Sequence, residues 1–146
     1  MRRWFILFLL CFWMAGTSVV LARPASGPTT INLRACVDAG DGACLTAGDT
    51  YVDGVGVCFY RGGEEPRCGG TEDGEHWFDS QPTGSYFAYA SFIPEGYQLV
   101  GITVTTFPNI SYEPANYQVN KQQVHFVVKK DVSAVNVNFL LVPNGD

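Results

Sequence analysis

After residue 28, apolar and polar positions alternate along most of the chain, with a period of two. In Thr29–Val37, Ile31, Leu33, Ala35 and Val37 share one parity, and Asn32, Arg34 and Cys36 share the other. That is the pattern of a strand buried on one side. Val55, Val57 and Phe59 oppose Gly56, Cys58 and Tyr60 in the same way. His76–Phe78 begins a short strand, Ser85–Phe92 is a longer one carrying Tyr86, Phe87, Tyr89 and Phe92, and Leu99–Thr106 is β-branched and apolar. Val124–Val128 and Val132–Val142 follow, the last with Val135, Val137 and Phe139 against Asn136, Asn138 and Leu140. Turn chemistry separates these runs: the Asp- and Gly-rich loop 38–53, the charged stretch Gly62–Gly70, Asp73-Gly74, Pro82-Thr83-Gly84, Pro94-Glu95-Gly96 and the loop Pro108–Asn120. No segment beyond the N-terminus shows a helical stripe. The pattern predicts an all-β fold, a small antiparallel β-sandwich of about seven strands, with no internal repeat and no second domain.

The first 22 residues break the pattern. Arg2 and Arg3 precede an unbroken apolar run from Trp4 to Met14, and Val20-Leu21-Ala22 places small residues where a signal peptidase reads. The expectation is a signal peptide over 1–22 cleaved after Ala22, a flexible lead-in over 23–28, a sandwich domain over 29–142 and a tail over 143–146. Residues 4–22 are also just long enough to anchor in a bilayer if uncleaved, although Gly16, Thr17 and Ser18 weaken the run. Cys11 follows Leu10, where a lipoprotein needs a small residue. The chain ends LLVPNGD without a wall-sorting motif. The expected product is therefore secreted, held by a partner, or membrane-anchored through an uncleaved N-terminus.

Export changes the reading of charge and sulfur. Without Arg2 and Arg3 the chain carries seven basic against fourteen acidic residues, a net of −7. So acidic a chain, with no basic stripe, argues against nucleic acid and against anionic lipid surfaces, and no membrane contact is expected after cleavage. Beyond Cys11, four cysteines are left: Cys36, Cys44, Cys58 and Cys68. An even number in an exported domain reads as two disulfides. Of the three pairings, Cys36–Cys44 and Cys58–Cys68 are favoured, because each closes a short, turn-rich segment. A four-cysteine zinc site lacks the close paired spacing such sites use.

Several short motifs resemble the prealbumin-like B-type domains of bacterial surface adhesins, the Cna-B and SD-repeat B modules. Gly54-Val55-x-Val57 is similar to their second strand. Asp73-Gly74 followed by Phe78 resembles their DG-x-Y-x-F hairpin, with His76 in the Tyr position. Pro82-Thr83-Gly84-Ser85-Tyr86 and Pro94-Glu95-Gly96-Tyr97 resemble their P-x-G-x-Y and P-x-G-Y turns. The match runs over roughly residues 29–142 and thins after Tyr97. It implies a seven-stranded sandwich acting as stalk, spacer or adhesion module rather than an enzyme. Many such domains carry a Lys–Asn isopeptide bond promoted by a buried acid. Here the first strand offers Arg34 instead of Lys, Ala90 stands in the acid's position, and Asn136 and Asn138 are acceptors without a nucleophile, since a guanidinium stays protonated. No isopeptide bond is expected, and the disulfides are expected to supply the stapling. Some relatives bind calcium after the first strand. Asp38, Asp41, Asp49 and Asp53 occupy that place and could gather oxygens for calcium, but their spacing is not that of a regular calcium loop, and the favoured reading is that Asp and Gly simply make turns here.

Catalytic chemistry finds little support. His76 and His125 are far apart, with no ligand-spaced Cys or Asp, and no G-x-S-x-G elbow exists. Glu64-Glu65 and Glu72, Asp73 and Glu75 read as charged turns rather than paired acids. Asn109-Ile110-Ser111 is a glycosylation sequon that matters only in a eukaryotic host. The aromatics divide between core filling and a candidate ligand rim of Trp77, Tyr97, Tyr112 and Tyr117, suited to stacking on a sugar or gripping a peptide. The expected function is a secreted, non-catalytic structural or adhesion module without a cofactor, its partner an extracellular protein or glycan. The alternative is a carbohydrate- or peptide-binding module using these loop aromatics.

Overall fold

The computed structural model describes residues 28–44, 47–108 and 123–145. The expected signal peptide with its cleavage point at Ala22, most of the lead-in, the sequon, Tyr112 and Tyr117 lie outside the described residues. Within them run nine strands: β1 (Thr29–Val37), β2 (Thr50–Tyr51), β3 (Gly56–Arg61), β4 (Arg67–Gly70), β5 (Glu75–Gln81), β6 (Gly84–Phe92), β7 (Tyr97–Phe107), β8 (Gln123–Val128) and β9 (Ala134–Pro143). One sheet has the order β2-β1-β9-β7, with β5 also on β1, and the other has the order β4-β3-β6-β8. The fold is an all-β sandwich. Two strands more than the expected seven are present, β2 and β4, both too short and too polar to stand out as apolar runs.

The two sheets share one apolar core. Ile31, Leu33, Val104, Val135, Val137 and Phe139 come from the first sheet, and Val57, Phe59, Tyr86, Val124 and Val128 from the second. Parity fixes this face: every second residue of β1, β3, β6 and β9 is apolar, and a slip of one residue would turn the whole set to water. Tyr86 lies between Phe59 and Phe126, with ring centroids 5.9 and 5.8 Å away. Its hydroxyl donates to the Pro82 carbonyl at 2.7 Å, which satisfies the one polar atom this large side chain brings inside.

Two features depart from the sequence reading. All strand pairs are antiparallel except β1–β9, which run parallel from Thr30 opposite Ala134 to Val37 opposite Leu141. And β1 is buried on both faces: Asn32 and Cys36, on the parity away from the core, are as inaccessible as Ile31 and Leu33. The cause over Cys36 is a covalent one. The Cys36–Cys44 disulfide folds residues 38–44 back over the outer face, where Cys36, Cys44 and Leu140 form a second apolar cluster. Thr103 donates to the Gly42 carbonyl and Arg34 Nη1 to the Cys44 carbonyl, which hold that cover down.

Candidate functional site

The acidic loop comes first in the chain. Asp38, Asp41 and Asp49 each bring a carboxylate oxygen to within 4.8 Å of the others. Asp53, expected beside them, stands elsewhere: its Oδ1 accepts the Gly74 amide at 2.7 Å. The three gathered carboxylates face the loop's own backbone. Asp38 Oδ1 accepts from the amides of Gly40, Asp41 and Gly42, and Asp38 Oδ2 from Gly42. Asp49 accepts from Ala39 and Asp41 from Ala43. The Asp38–Gly40 and Asp41–Ala43 bonds are Asx turns, in which a carboxylate stands in for a carbonyl to close a tight bend, whereas Asp49 reaches back ten residues to tie the two ends of the loop together. Calcium asks for six to eight oxygens, and both Asp38 oxygens already serve amides.

A groove opens where the edges of the two sheets meet. It has a volume of about 540 Å³ and is lined by Gly70, Thr71, Glu72, Asp73, Glu75, His76 and Trp77. Its floor is set by the turn at Asp73-Gly74, where φ is +52° and +73°. Two successive residues at positive φ make the hairpin turn whose twist matches its strands. Glu72 and Glu75 close it with reciprocal amide–carbonyl bonds of 3.0 and 3.1 Å. At Gly74 a Cβ would lie 2.5 Å from the Tyr51 ring, so glycine is required there for space as well as for φ. His76 forms one wall. Its Nδ1 lies 3.0 Å from the Gly70 carbonyl, and its ring meets Phe78 edge-on at 4.7 Å. The imidazole also lies so close over Gly69 that a Cβ there would sit 2.2 Å from it. The histidine is thus a joint between β4 and β5.

Trp77 forms the other wall and is 52% exposed. Its indole Nε1 donates to Glu75 Oε2 at 3.0 Å. The second Glu75 oxygen pairs with Arg34 Nε at 2.8 Å, a charge contact that lies off the line of a hydrogen bond. The indole is therefore pinned through a carboxylate that is itself pinned. The expected ligand rim does not assemble. Trp77 lies opposite Asn32 midway along β1, whereas Tyr97 starts β7 at the far edge of the sheet, opposite Pro143, and leans half-buried on the core.

The isopeptide constellation is also rearranged. Arg34, Asn136 and Asn138 lie on the parity that faces away from the core. Arg34 sits opposite Asn138 across the parallel pair, and Asn138 in turn donates to Thr103 Oγ1 at 3.2 Å. Beside this row, the Asn32 amide is fully buried with neither polar atom hydrogen-bonded. Neither disulfide joins β1 to β9: Cys36–Cys44 closes a loop of sequence separation 8, and Cys58–Cys68 ties β3 to β4 at separation 10. The expected pairing is the one found.

One arrangement escaped the sequence reading. Tyr60, Phe87, Tyr89 and His125 line the outer face of the four-stranded sheet. Tyr60 stacks on Phe87 at 5.1 Å, Phe87 tilts against His125 at 4.9 Å, and the Tyr60 hydroxyl accepts from Gln123 Nε2 at 3.0 Å. The signal was parity: Phe87 and Tyr89 alternate with the buried Tyr86 and Ala88.

No family model and no curated protein sequence matches the chain. Among solved structures, it is similar to GBS52, the minor pilin of Streptococcus agalactiae, with a TM-score of 0.50 and 14% identity over 84% of this chain. The chain spans about half of that protein, 48% of its length. A weaker similarity, with a TM-score of 0.42 and 13% identity, runs over 80% of this chain and 15% of the pilus adhesin SpaC from Lactobacillus rhamnosus GG. At such identities the likeness to GBS52 is one of fold.

Proposed function

We propose that this chain is a secreted, non-catalytic structural module that carries tension at the cell exterior, as a stalk or spacer does. The observation that supports this most is the parallel β1–β9 pair. β1 begins the sandwich and β9 ends it, and they lie side by side in the same direction over eight paired positions. A pull applied near Pro28 and Gly145 therefore draws the two strands past each other along their axes. The whole ladder is loaded at once, whereas an unzipping geometry loads one rung at a time. The reading carries to this chain the role that the name of GBS52 gives its own protein, a pilin. The disulfides and the expected signal sequence support placing it outside the cytoplasm, and the acidic and histidine side chains described above serve turns and joints rather than a reacting centre.

Single-molecule force spectroscopy tests the proposal. Attachment near Pro28 and Gly145 loads β1–β9 in shear. Attachment at Gly96 and Asn144 peels β7 from β9, because Tyr97 and Pro143 face each other at the open end of that antiparallel pair. The shear geometry is expected to need several-fold more force, and equal forces would refute the reading. Reduction should lengthen the extended chain by roughly 50 Å, the extended length of the two closed loops less their bridged Cα separations, while leaving the shear force nearly unchanged.

A further inference from the structure

We infer that the groove between Gly70 and Trp77 receives a lysine or arginine side chain from a basic segment of a partner protein. This goes beyond the mechanical role and does not depend on it. Three carboxylates, Glu72, Asp73 and Glu75, line one small concavity. Of these only Glu75 has a cation, Arg34, among the described residues; the one other ion pair there, Arg61–Glu64, lies on a different turn. The groove lining offers Glu72 and Asp73 no basic residue, and the imidazole beside them is already engaged with the Gly70 carbonyl. Uncompensated negative charge in a cleft raises the local concentration of cations and steers basic partners toward it.

The aromatic wall narrows the choice of cation. An indole is the strongest of the side-chain rings for an ammonium or guanidinium group, and the attraction grows as water is excluded. Trp77 is half open to solvent, yet it is not free to turn, because Nε1 is held by Glu75 and Glu75 by Arg34. A ring fixed before binding loses little entropy when a ligand arrives. The alkyl stem of lysine or arginine would lie along the indole while its charged end reaches Glu72 and Asp73. A neutral sugar would also stack on an indole, but it would leave two carboxylates without a partner. The remaining wall is rigid as well, since β4 is tied to β3 by Cys58–Cys68.

The test uses the full chain carrying Trp4→Phe and Trp13→Phe, in which Trp77 is the sole indole and its fluorescence reports the groove. The probes are end-blocked five-residue alanine peptides with lysine, arginine or norleucine at the centre, and neutral oligosaccharides. Lysine and arginine peptides should give saturable changes that weaken at least fivefold on raising salt, and the norleucine peptide should bind at least fivefold more weakly. Glu72→Gln together with Asp73→Asn should remove most of that preference while leaving the urea midpoint of the protein unchanged, because both side chains lie at the surface and asparagine tolerates positive φ. Equal binding of the norleucine peptide, saturation by an oligosaccharide alone, or no saturation by any cationic peptide would overturn the inference.

Discussion

Replacing one cysteine pair at a time by alanine should separate the two disulfides by their surroundings rather than by their loop lengths. Sequence separations of 8 and 10 are nearly equal. The loop-closure expression gives about 2.5 kcal/mol for either bridge at room temperature. The difference comes from burial. Cys36 and Cys44 are both inaccessible and share a cluster with Leu140, whereas Cys68 is exposed on the edge strand β4. Deleting two buried sulfurs leaves a void worth roughly 1 kcal/mol per sulfur, by analogy with losing a buried methyl group. The Cys36→Ala/Cys44→Ala protein should therefore lose about 4–5 kcal/mol, and the Cys58→Ala/Cys68→Ala protein, with only Cys58 buried, about 3.5 kcal/mol. Against a total of about 5–15 kcal/mol for a domain, the first loss threatens folding at body temperature and the second does not. Urea unfolding followed by circular dichroism measures both, provided the slope stays constant so that the midpoints report stability alone. Equal losses, or a larger loss at Cys58–Cys68, would show that the covered outer face of β1 contributes little.

Three further outcomes are expected. Tyr86→Phe removes the hydrogen bond to Pro82 and should cost about 1 kcal/mol. Burial holds the Tyr86 hydroxyl above its ordinary pKa of 10.0, with Glu64 adding to the rise and Arg61 and Arg67 opposing it. A folded-state value above the unfolded one means that this stability is complete below pH 10 and is lost as pH rises through the higher value. Thermal midpoints from neutral to strongly alkaline pH should thus fall less steeply for Tyr86→Phe, and parallel curves would contradict the assignment. For the acidic loop, calcium against chelator should leave the thermal midpoint unchanged, because the Asp38 oxygens already serve amides; a rise with calcium would show the carboxylates turning to the ion. The intact mass of the exported protein should show two disulfides and no loss of ammonia, whereas such a loss would reveal an isopeptide bond.

Strand parity made most of the core legible. Val55, Val57 and Phe59, like Val135, Val137 and Phe139, point where their alternation said, and Asp73-Gly74 turns as its chemistry requires. The pairing of the cysteines followed from short loops. What the sequence hid was produced by long-range contact. The outer face of β1 carries Asn32, Arg34 and Cys36, a polar parity that reads as solvent-facing until a bridge eight residues on folds a loop over part of it. Asp53 belongs to the turn at Gly74, 21 residues away, and spacing alone grouped it with Asp38, Asp41 and Asp49. Trp77 and Tyr97 look adjacent because both follow turns, yet β5 and β7 occupy opposite sides of their sheet. The groove at Trp77 depends on His76 reaching Gly69 across the two sheets, a contact between residues seven apart that carries no periodic signal.

Thermal and mechanical stability rest on different bonds in this molecule. Each disulfide closes a short loop, so each restrains the unfolded chain and raises the free energy of unfolding in solution. Neither disulfide joins β1 to β9, the two strands that a force applied at the ends of the sandwich would draw past each other. On the outer face Arg34 lies opposite Asn138 and is held by Glu75 and by the Cys44 carbonyl. In the proposed role the β1–β9 ladder would be loaded in shear, and its backbone hydrogen bonds, unlike a covalent cross-link, could re-form when the load is removed. The disulfide-closed loops, still intact, would hold part of the chain compact and shorten the search back to the native register.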